Sequence, residues 1–154
     1  IEELEHKASK RSVQITLEFD PDKNYQTLAD RQKIYRVCQN LIFNAVKYNH
    51  DGGEVNVSLK SSKNQIQVEV KDNGPGIAPE DLKRIFERFY RVEKSRSKGK
   101  GGTGLGLALT AKIISDHDGW IGVNSVPGRT VFRISLPMAP KPAKLIKRDR
   151  KAGL

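Results

Sequence analysis

The sequence predicts a domain of the α/β (α+β) class: a two-layer sandwich with helices packed on one face of a mixed, mainly antiparallel sheet. Two segments, one after Asp30 and one after Gly104, repeat apolar residues at the helical spacings of three and four. Five shorter segments alternate apolar and polar residues, as half-buried strands do. Strands and helices follow one another without regular β–α alternation, which favours this sandwich over a doubly wound parallel sheet.

The first half of the chain predicts two helices and three strands. Residues 1–10 have the pattern of the end of a helix. A half-buried strand follows, with alternating Val13, Ile15, Leu17 and Phe19. Asp30 can cap a helix that stops near Asn49, with an inward stripe of Ile34, Val37, Cys38, Leu41, Ile42 and Ala45. Alternating runs at 55–59 and 66–70 then predict an antiparallel hairpin.

The second half predicts two helices around a loop, then a second hairpin. Pro79 opens a short helix with Leu82, Ile85, Phe86 and Phe89 on one face. Residues 93–102 are almost free of apolar side chains, so we expect a mobile loop there. The next helix starts near Gly104, ends by Gly119, and has as inward residues Leu105, Ala108, Leu109 and Ile113. Strands around 121–123 and 132–136 are joined by Pro127-Gly128.

Length and composition predict one domain with short extensions. The 154 residues are 36% hydrophobic, and no run approaches the roughly 20 apolar residues that span a bilayer. We assign 1–12 to the end of a linker helix from an upstream domain, 13–138 to the folded domain and 139–154 to a basic, disordered tail. Residues 1–11 are charged and do not resemble a signal peptide. Cys38 is the single cysteine, so we expect an inert buried thiol, as fits a reducing cytoplasm.

The net charge of +10 raises the question of a nucleic-acid partner. One basic cluster, at 84–100, runs into a glycine-rich segment, and the other is the tail beyond Pro140. Charge does not separate a polyphosphate ligand from nucleic acid. The sequence contains no recognition-helix motif and no basic surface interleaved with aromatic residues. We therefore expect no nucleic-acid partner and keep that class as a distant alternative.

Four polar or glycine-rich clusters interrupt the pattern of core residues. The first is on the helix after Asp30, where Asn40, Asn44, Lys47 and Tyr48 share one edge. An amide oxygen suits Mg²⁺ and a lysine suits phosphate oxygens, although a solvated polar face explains this cluster about as well.

The second cluster is Asp72-Asn73-Gly74-Pro75-Gly76-Ile77, directly after a strand. A carboxylate at a strand end can accept a hydrogen bond from an exocyclic amine, and glycines let the backbone approach a ligand. The alternative is a plain turn. The third cluster is 86–91, in which the phenylalanines are expected in the core and Arg88 and Arg91 could face an anion.

The fourth cluster is the glycine-rich segment 99–107, which leads into a helix. Free backbone N–H groups ahead of a helix N-terminus favour phosphate, although a flexible linker has the same composition. Gly99, Gly101 and Gly104 match Gly-x-Gly-x-x-Gly, but no hydrophobic strand precedes them, which excludes the dinucleotide motif. The P-loop and protein-kinase motifs are missing from the sequence.

Together, in this order and at these separations, the four clusters resemble the catalytic ATP-binding domain of sensor histidine kinases, in the GHKL superfamily with the Bergerat fold. The resemblance covers roughly 13–137. Superfamily relatives that hydrolyse ATP usually carry a glutamate four residues before the metal-binding asparagine, where this chain has Asn40. That difference favours phosphotransfer over ATP hydrolysis. The chain departs from the family at 117–120 and in the last hairpin, 126–132, where we expect altered loops rather than lost binding.

The resemblance implies ATP and Mg²⁺ as cofactors and a role for each cluster. Asp72 would bind the adenine amino group, and Asn44 would ligate Mg²⁺ with Asn40 beside it. Residues 93–101 would form a lid over the phosphates. The full implied nucleotide site is Asn40, Asn44, Lys47, Tyr48, Asp72, Gly74, Gly76, Ile77, Tyr90, Arg91, Gly102, Thr103, Gly104, Leu105, Gly106 and Leu107.

The resemblance also implies partners, because none of the chain's histidines fits the family's phosphoacceptor motif. His6 is followed by Lys7 instead of an acid, and His50 and His117 are each followed by an aspartate but lack the Asn or Thr three residues after it. We therefore expect the phosphoacceptor histidine on a separate dimerisation domain, and a response regulator receiver domain downstream. The isolated chain should be a cytoplasmic monomer, with a parent protein anchored in a membrane. The competing hypothesis is a noncatalytic module that senses ATP or ADP.

Overall fold

The computed structural model of the chain describes residues 2–92 and 104–140. The predicted lid, with Gly102 and Thr103, and the tail from residue 141 lie outside these ranges. The described elements, in order, are α1 (Glu2–Lys10), β1 (Gln14–Glu18), α2 (Arg31–Lys47), β2 (Glu54–Ser61), β3 (Gln65–Asp72), α3 (Pro79–Leu82), α4 (Gly106–Asp116), β4 (Trp120–Val126) and β5 (Arg129–Pro137).

The five described strands form one mixed sheet in the order β1-β2-β3-β5-β4. β1 runs parallel to β2, and the other neighbouring pairs are antiparallel. One apolar row crosses the sheet as Val57, Val70, Phe132 and Val123. The row that faces the other way is polar, with Ser58, Glu69 and Arg133. The sheet therefore has one face for the core and one for solvent, which confirms the predicted two-layer sandwich.

The helices cover the apolar face of the sheet. α2 packs against β2 and β3 and lies beside α4, which packs against β4. The stripe predicted for α2 supplies the buried Val37, Leu41 and Ala45. Cys38 belongs to the predicted stripe but is partly buried instead of fully buried, and this burial raises the pKa of its thiol.

The start of α2 is fixed as predicted. The Asp30 carboxylate accepts hydrogen bonds from the backbone N–H groups of Gln32 and Lys33, both at 3.0 Å. His117, at the end of α4, accepts a hydrogen bond from the Asp30 backbone N–H at 3.1 Å. This contact ties the beginning of α2 to the end of α4, so the two helices have a fixed relative position.

Two predictions about burial are wrong. β1 was expected to be half-buried, yet all five of its residues are exposed, and Leu17 is 60% exposed. β1 is an edge strand, and α2 packs over β2 and β3 instead. Phe89, Leu105 and Leu109 were expected to point inward and are 70%, 37% and 41% exposed. α3 ends at Leu82, before the predicted helical face is complete, and Phe89 lies in a turn with a positive φ of 63°.

The described residues contain no helix that is both long and apolar enough to span a membrane.

Candidate nucleotide-binding site

The four clusters meet in space, although they are far apart in sequence. The turn after β3 reaches the end of α2, since a methyl group added to Gly74 would lie 3.4 Å from the Asn49 Cα. The start of α4 reaches the middle of α2, where a methyl group on Gly106 would lie 2.8 Å from the Asn40 side chain. The third and fourth clusters meet at Phe89, whose backbone N–H donates to the Gly104 carbonyl at 3.0 Å.

Asp72 is the last residue of β3 and is half-buried at the edge of the site. Its carboxylate accepts a hydrogen bond from the Gly74 backbone N–H at 2.9 Å. Burial raises the pKa of Asp72 above its ordinary value, although the Gly74 hydrogen bond opposes the shift. A half-buried carboxylate that keeps free acceptor positions suits an N–H donor of a ligand.

Gly76 and Ile77 are held against the hairpin between β4 and β5. Gly76 has φ +83°, and a methyl group there would lie 2.8 Å from the Val126 carbonyl group. The Ile77 backbone N–H donates to the Ser125 hydroxyl at 2.8 Å. These contacts require glycine at position 76 for both its conformation and its size. The last hairpin is therefore part of the wall of this site, not a peripheral loop.

Ser125, Thr130 and Asn49 belong to this wall and were not predicted from the sequence. Thr130 is 3% exposed and is the cross-strand partner of Asp72, and its hydroxyl lies 2.7 Å from the Ser125 hydroxyl. Asn49 is also 3% exposed, and its side chain donates to the Glu54 carbonyl at 3.1 Å. A threonine followed by alternating apolar residues gives no signal of its own. The pairing of β3 with β5 is what brings it to Asp72.

The last two turns of α2 carry the predicted phosphate and metal residues. Asn44 and Lys47 are half-buried, and Tyr48, at the helix end, is 43% exposed. The Lys47 Nζ lies 5.0 Å from the centroid of the Tyr48 ring. The structure therefore places an amide, an ammonium group and an aromatic ring on adjoining turns of one helix.

Asn40 faces α4. Its side-chain amide donates to the buried Thr110 hydroxyl at 2.9 Å. Both residues, with Gly106, line a groove of about 340 Å³ between the two helices. This contact fixes the start of α4 relative to α2, in addition to any role of Asn40 beside the metal.

The third cluster leads to the start of the predicted lid. Tyr90 and Arg91 are half-buried, and the Tyr90 hydroxyl donates to the Asp81 carboxylate. The Arg84 guanidinium lies 4.3 Å from the Tyr90 ring centroid. Gly104 has φ +72°, and a methyl group there would lie 2.8 Å from the Phe89 backbone. Phe89 and Gly104, which lie on either side of residues 93–103 in the sequence, are thus joined directly by a hydrogen bond.

The residues at the start of α4 divide between two environments. Leu105 stands at the N-terminal cap and is exposed, whereas Leu107 packs against the core. No cluster of three or more His, Cys, Asp or Glu side chains capable of holding a metal ion occurs within 2–92 and 104–140.

Comparison with known proteins gives the same family throughout. Residues 29–140 match the family model described as histidine kinase-, DNA gyrase B- and HSP90-like ATPase. The sensor-like histidine kinase SenX3 of Mycolicibacterium smegmatis is 38% identical over 138 residues, which are 89% of this chain and 36% of that protein. The chain thus spans about a third of the length of this curated relative.

Two solved structures are similar over nearly the whole chain. Full-length ShkA in complex with AMPPNP matches with a TM-score of 0.75 and 28% identity, over 92% of this chain and 29% of that one. Histidine kinase ThkA in complex with the response regulator protein TrrA matches with a TM-score of 0.71 and 28% identity, over 89% of this chain and 37% of that one. The chain belongs to the histidine kinase-, DNA gyrase B- and HSP90-like ATPase family and is a catalytic ATP-binding domain of the sensor histidine kinase type.

Proposed function

We propose that this domain binds Mg-ATP with the adenine at Asp72 and the phosphates at the end of α2 and the start of α4. The observation that supports this most is the half-buried Asp72 carboxylate, with glycine backbone on one side and the buried Thr130 on the other. The ionised carboxylate would accept a hydrogen bond from the exocyclic amine of adenine. Gly74, Gly76 and Ile77 would form the wall against the plane of the base.

On the phosphate side, Asn44 would ligate Mg²⁺ and Lys47 and Arg91 would contact phosphate oxygens. When bound, the metal neutralises charge on the phosphates. Tyr48 and Tyr90 would flank the nucleotide, and Asn40 would hold α4 close to α2. Gly102, Thr103, Gly104, Leu105, Gly106 and Leu107 would offer backbone N–H groups, helped by the partial positive charge of the α4 N-terminus.

The reaction would be transfer of the γ-phosphoryl group to a histidine on a separate dimerisation domain. An imidazole nitrogen would attack the γ-phosphorus as the bond to the β,γ-bridging oxygen breaks, which leaves ADP. The domain supplies positioning and charge neutralisation, which account for most catalysis in phosphoryl transfer. Relatives named sensor histidine kinases support this reaction, and the ThkA–TrrA complex supports a response regulator as the next acceptor. We place the domain in the cytoplasm, where ATP is available.

Phosphotransfer to a supplied acceptor tests this function. The chain is mixed with the dimerisation domain of its parent kinase, Mg²⁺ and ATP labelled at the γ-phosphate, and acid-labile label on the acceptor is counted. We expect label with the wild type, none with Asn44→Ala, and wild-type transfer with Asn56→Ala. Asn56 is a matched control because it is also half-buried but bonds to Thr16 and Glu18 on the opposite face of the sheet. A chain that binds AMPPNP but transfers no label is instead a noncatalytic nucleotide sensor.

A further inference from the structure

Arg11 lies between α1 and β1, yet its side chain ends at the far end of α2. Its Nη1 donates to the carbonyl oxygens of Lys47 at 2.6 Å and Val46 at 3.3 Å. Its Nε donates to the Asp51 carboxylate at 2.9 Å. One guanidinium group therefore joins the last turn of α2 to the loop that follows it.

These contacts supply hydrogen-bond donors to carbonyl groups at the end of α2. The last four carbonyl groups of a helix lack partners within the helix, and the C-terminal end carries a partial negative charge. A guanidinium supplies several donors in one plane together with a positive charge, so it can hold two of these carbonyls at once. Arg11 thus fixes the turn from which the Lys47 side chain and the adjoining Tyr48 project.

The backbone around Arg11 fixes the same region. The Gly52 backbone N–H donates to the Arg11 carbonyl at 2.9 Å, and the Gln14 N–H donates to the Gly53 carbonyl at 2.9 Å. α1 itself lies on α2, where the Lys7 ammonium is 4.1 Å from the centroid of the Phe43 ring. A displacement of α1 would consequently change the position of the end of α2.

We propose that Arg11 is a positioning residue for the phosphate side of the site, and that it couples the placement of α1 to the affinity for the nucleotide phosphates. This inference rests on the proposed function, in which Lys47 contacts phosphate. Arg11 acts through the last turn of α2 and touches no part of the nucleotide. The adenine side is held separately, because Asp72 is fixed by its pairing within the sheet.

The structure offers a matched arginine for comparison. Arg133 donates to the Glu69 carboxylate at 2.7 Å, and its side chain is 32% exposed, against 27% for Arg11. It projects from the polar face of the sheet, away from α2. Arg133→Gln thus removes a similar charge and ion pair without altering the end of α2.

The experiment measures affinity for two ligands, Mg-AMPPNP by calorimetry and adenosine by ligand-detected NMR. The proteins are the wild type, Arg11→Gln, Arg11→Lys and Arg133→Gln. We expect Arg11→Gln to weaken AMPPNP binding by about three- to tenfold, the scale of coupling through one shared element, and to leave adenosine binding unchanged. The AMPPNP affinity of Arg11→Lys should lie between those of Arg11→Gln and the wild type, because lysine keeps the charge but not the planar set of donors. Arg133→Gln should bind both ligands like the wild type.

Each outcome decides the proposal. If the Arg11 variants lose affinity for AMPPNP and adenosine equally, Arg11 has a general structural role and the proposal is overturned. Unchanged AMPPNP affinity in Arg11→Gln overturns the proposal as well. If Arg11→Gln fails to fold, Arg11→Lys gives the same comparison. Loss of AMPPNP affinity in Arg133→Gln also overturns it, since a distant charge then has the same effect. A wild type that binds neither ligand refutes the proposed function instead, so the two failures are distinguishable.

Discussion

The adenine side and the phosphate side of the site are held by different kinds of contact. On the adenine side, Asp72, Gly76 and Ile77 are fixed by strand pairing, by the Val126 backbone and by the hydroxyl pair of the half-buried Ser125 and the buried Thr130. On the phosphate side, Asn44, Lys47 and Tyr48 project from the last turns of α2, and Tyr48 is 43% exposed. Their position depends on the end of one helix and on Arg11.

This difference shows how one site can combine a fixed and an adjustable half. The contacts of the adenine side come from the sheet, so moving them requires breaking the core. The side chains of Asn44, Lys47 and Tyr48 are half-buried or exposed, so replacing them removes few contacts from the core. We therefore expect substitutions on the adenine side to affect stability and binding together, and those at the end of α2 to affect mainly binding.

The largest effect is expected from Gly76→Ala. A non-glycine residue in the left-handed region costs about 1–2 kcal/mol, and the added methyl group would also meet the Val126 carbonyl at 2.8 Å. We expect the free energy of unfolding to fall by about 2–4 kcal/mol, measured by urea denaturation, with nucleotide binding lost in parallel.

Gly128→Ala is the matched control for this substitution. Gly128 has a similar φ of +81° in the adjacent hairpin turn, but a methyl group there meets nothing within 4 Å. Gly128→Ala should lower the free energy of unfolding by about 1–2 kcal/mol, through the backbone conformation alone, and leave AMPPNP affinity intact. Equal losses for the two variants would mean that the close approach at Val126 does not hold the adenine side.

A smaller effect is expected from Ser125→Ala. This change removes the acceptor of the Ile77 backbone N–H and a partner of the buried Thr130 hydroxyl. We expect a loss of about 1–2 kcal/mol in thermal or urea unfolding, the cost of leaving a buried donor unsatisfied. Ser135→Ala, on the same hairpin, should lower the free energy of unfolding by less than about 0.5 kcal/mol, because the Ser135 hydroxyl bonds to Gln65 at the exposed face. A Ser125 variant as stable as the Ser135 variant would contradict this role.

The smallest effect is a pH-dependent gain of stability in Asp72→Asn. Burial raises the pKa of Asp72 in the folded domain. Ionisation therefore costs the folded state more than the unfolded one, and the wild type loses stability as the pH rises from about 4 through the raised pKa. At pH 7 we expect the variant to melt higher, by on the order of a few degrees, and the difference to shrink as the pH falls towards 4. A variant that melts lower than the wild type at pH 7 would contradict this sign.

Local signals in the sequence predicted most of the fold. The Asp30 cap, the stripe on α2 and the two hairpins depend on neighbouring residues, and the structure confirms them. Glycine and proline positions likewise marked the turns at Gly76 and Gly128. The clusters could be found because each is contiguous, and their order identified the family.

What the sequence could not predict depends on long-range packing. Alternation in β1 does not reveal that the strand lies at the sheet edge, beyond α2, so Leu17 was expected to be half-buried and is exposed. Helical spacing does not reveal that the chain turns at Phe89. Thr130 reaches Asp72 through the register of β3 with β5, and Arg11 reaches Lys47 through the packing of α1 on α2. Neither residue has a motif of its own.

Binding of Mg-AMPPNP to the wild type and to Asp72→Asn, measured by calorimetry at neutral pH, tests the central claim most directly. A hydrogen bond to a charged group contributes about 1.5–3 kcal/mol, so its loss should weaken binding about 10- to 100-fold. We predict saturable binding by the wild type and a loss of that size in a variant that is still folded. No binding by the wild type, or equal affinity in both proteins, would contradict a nucleotide site built on Asp72.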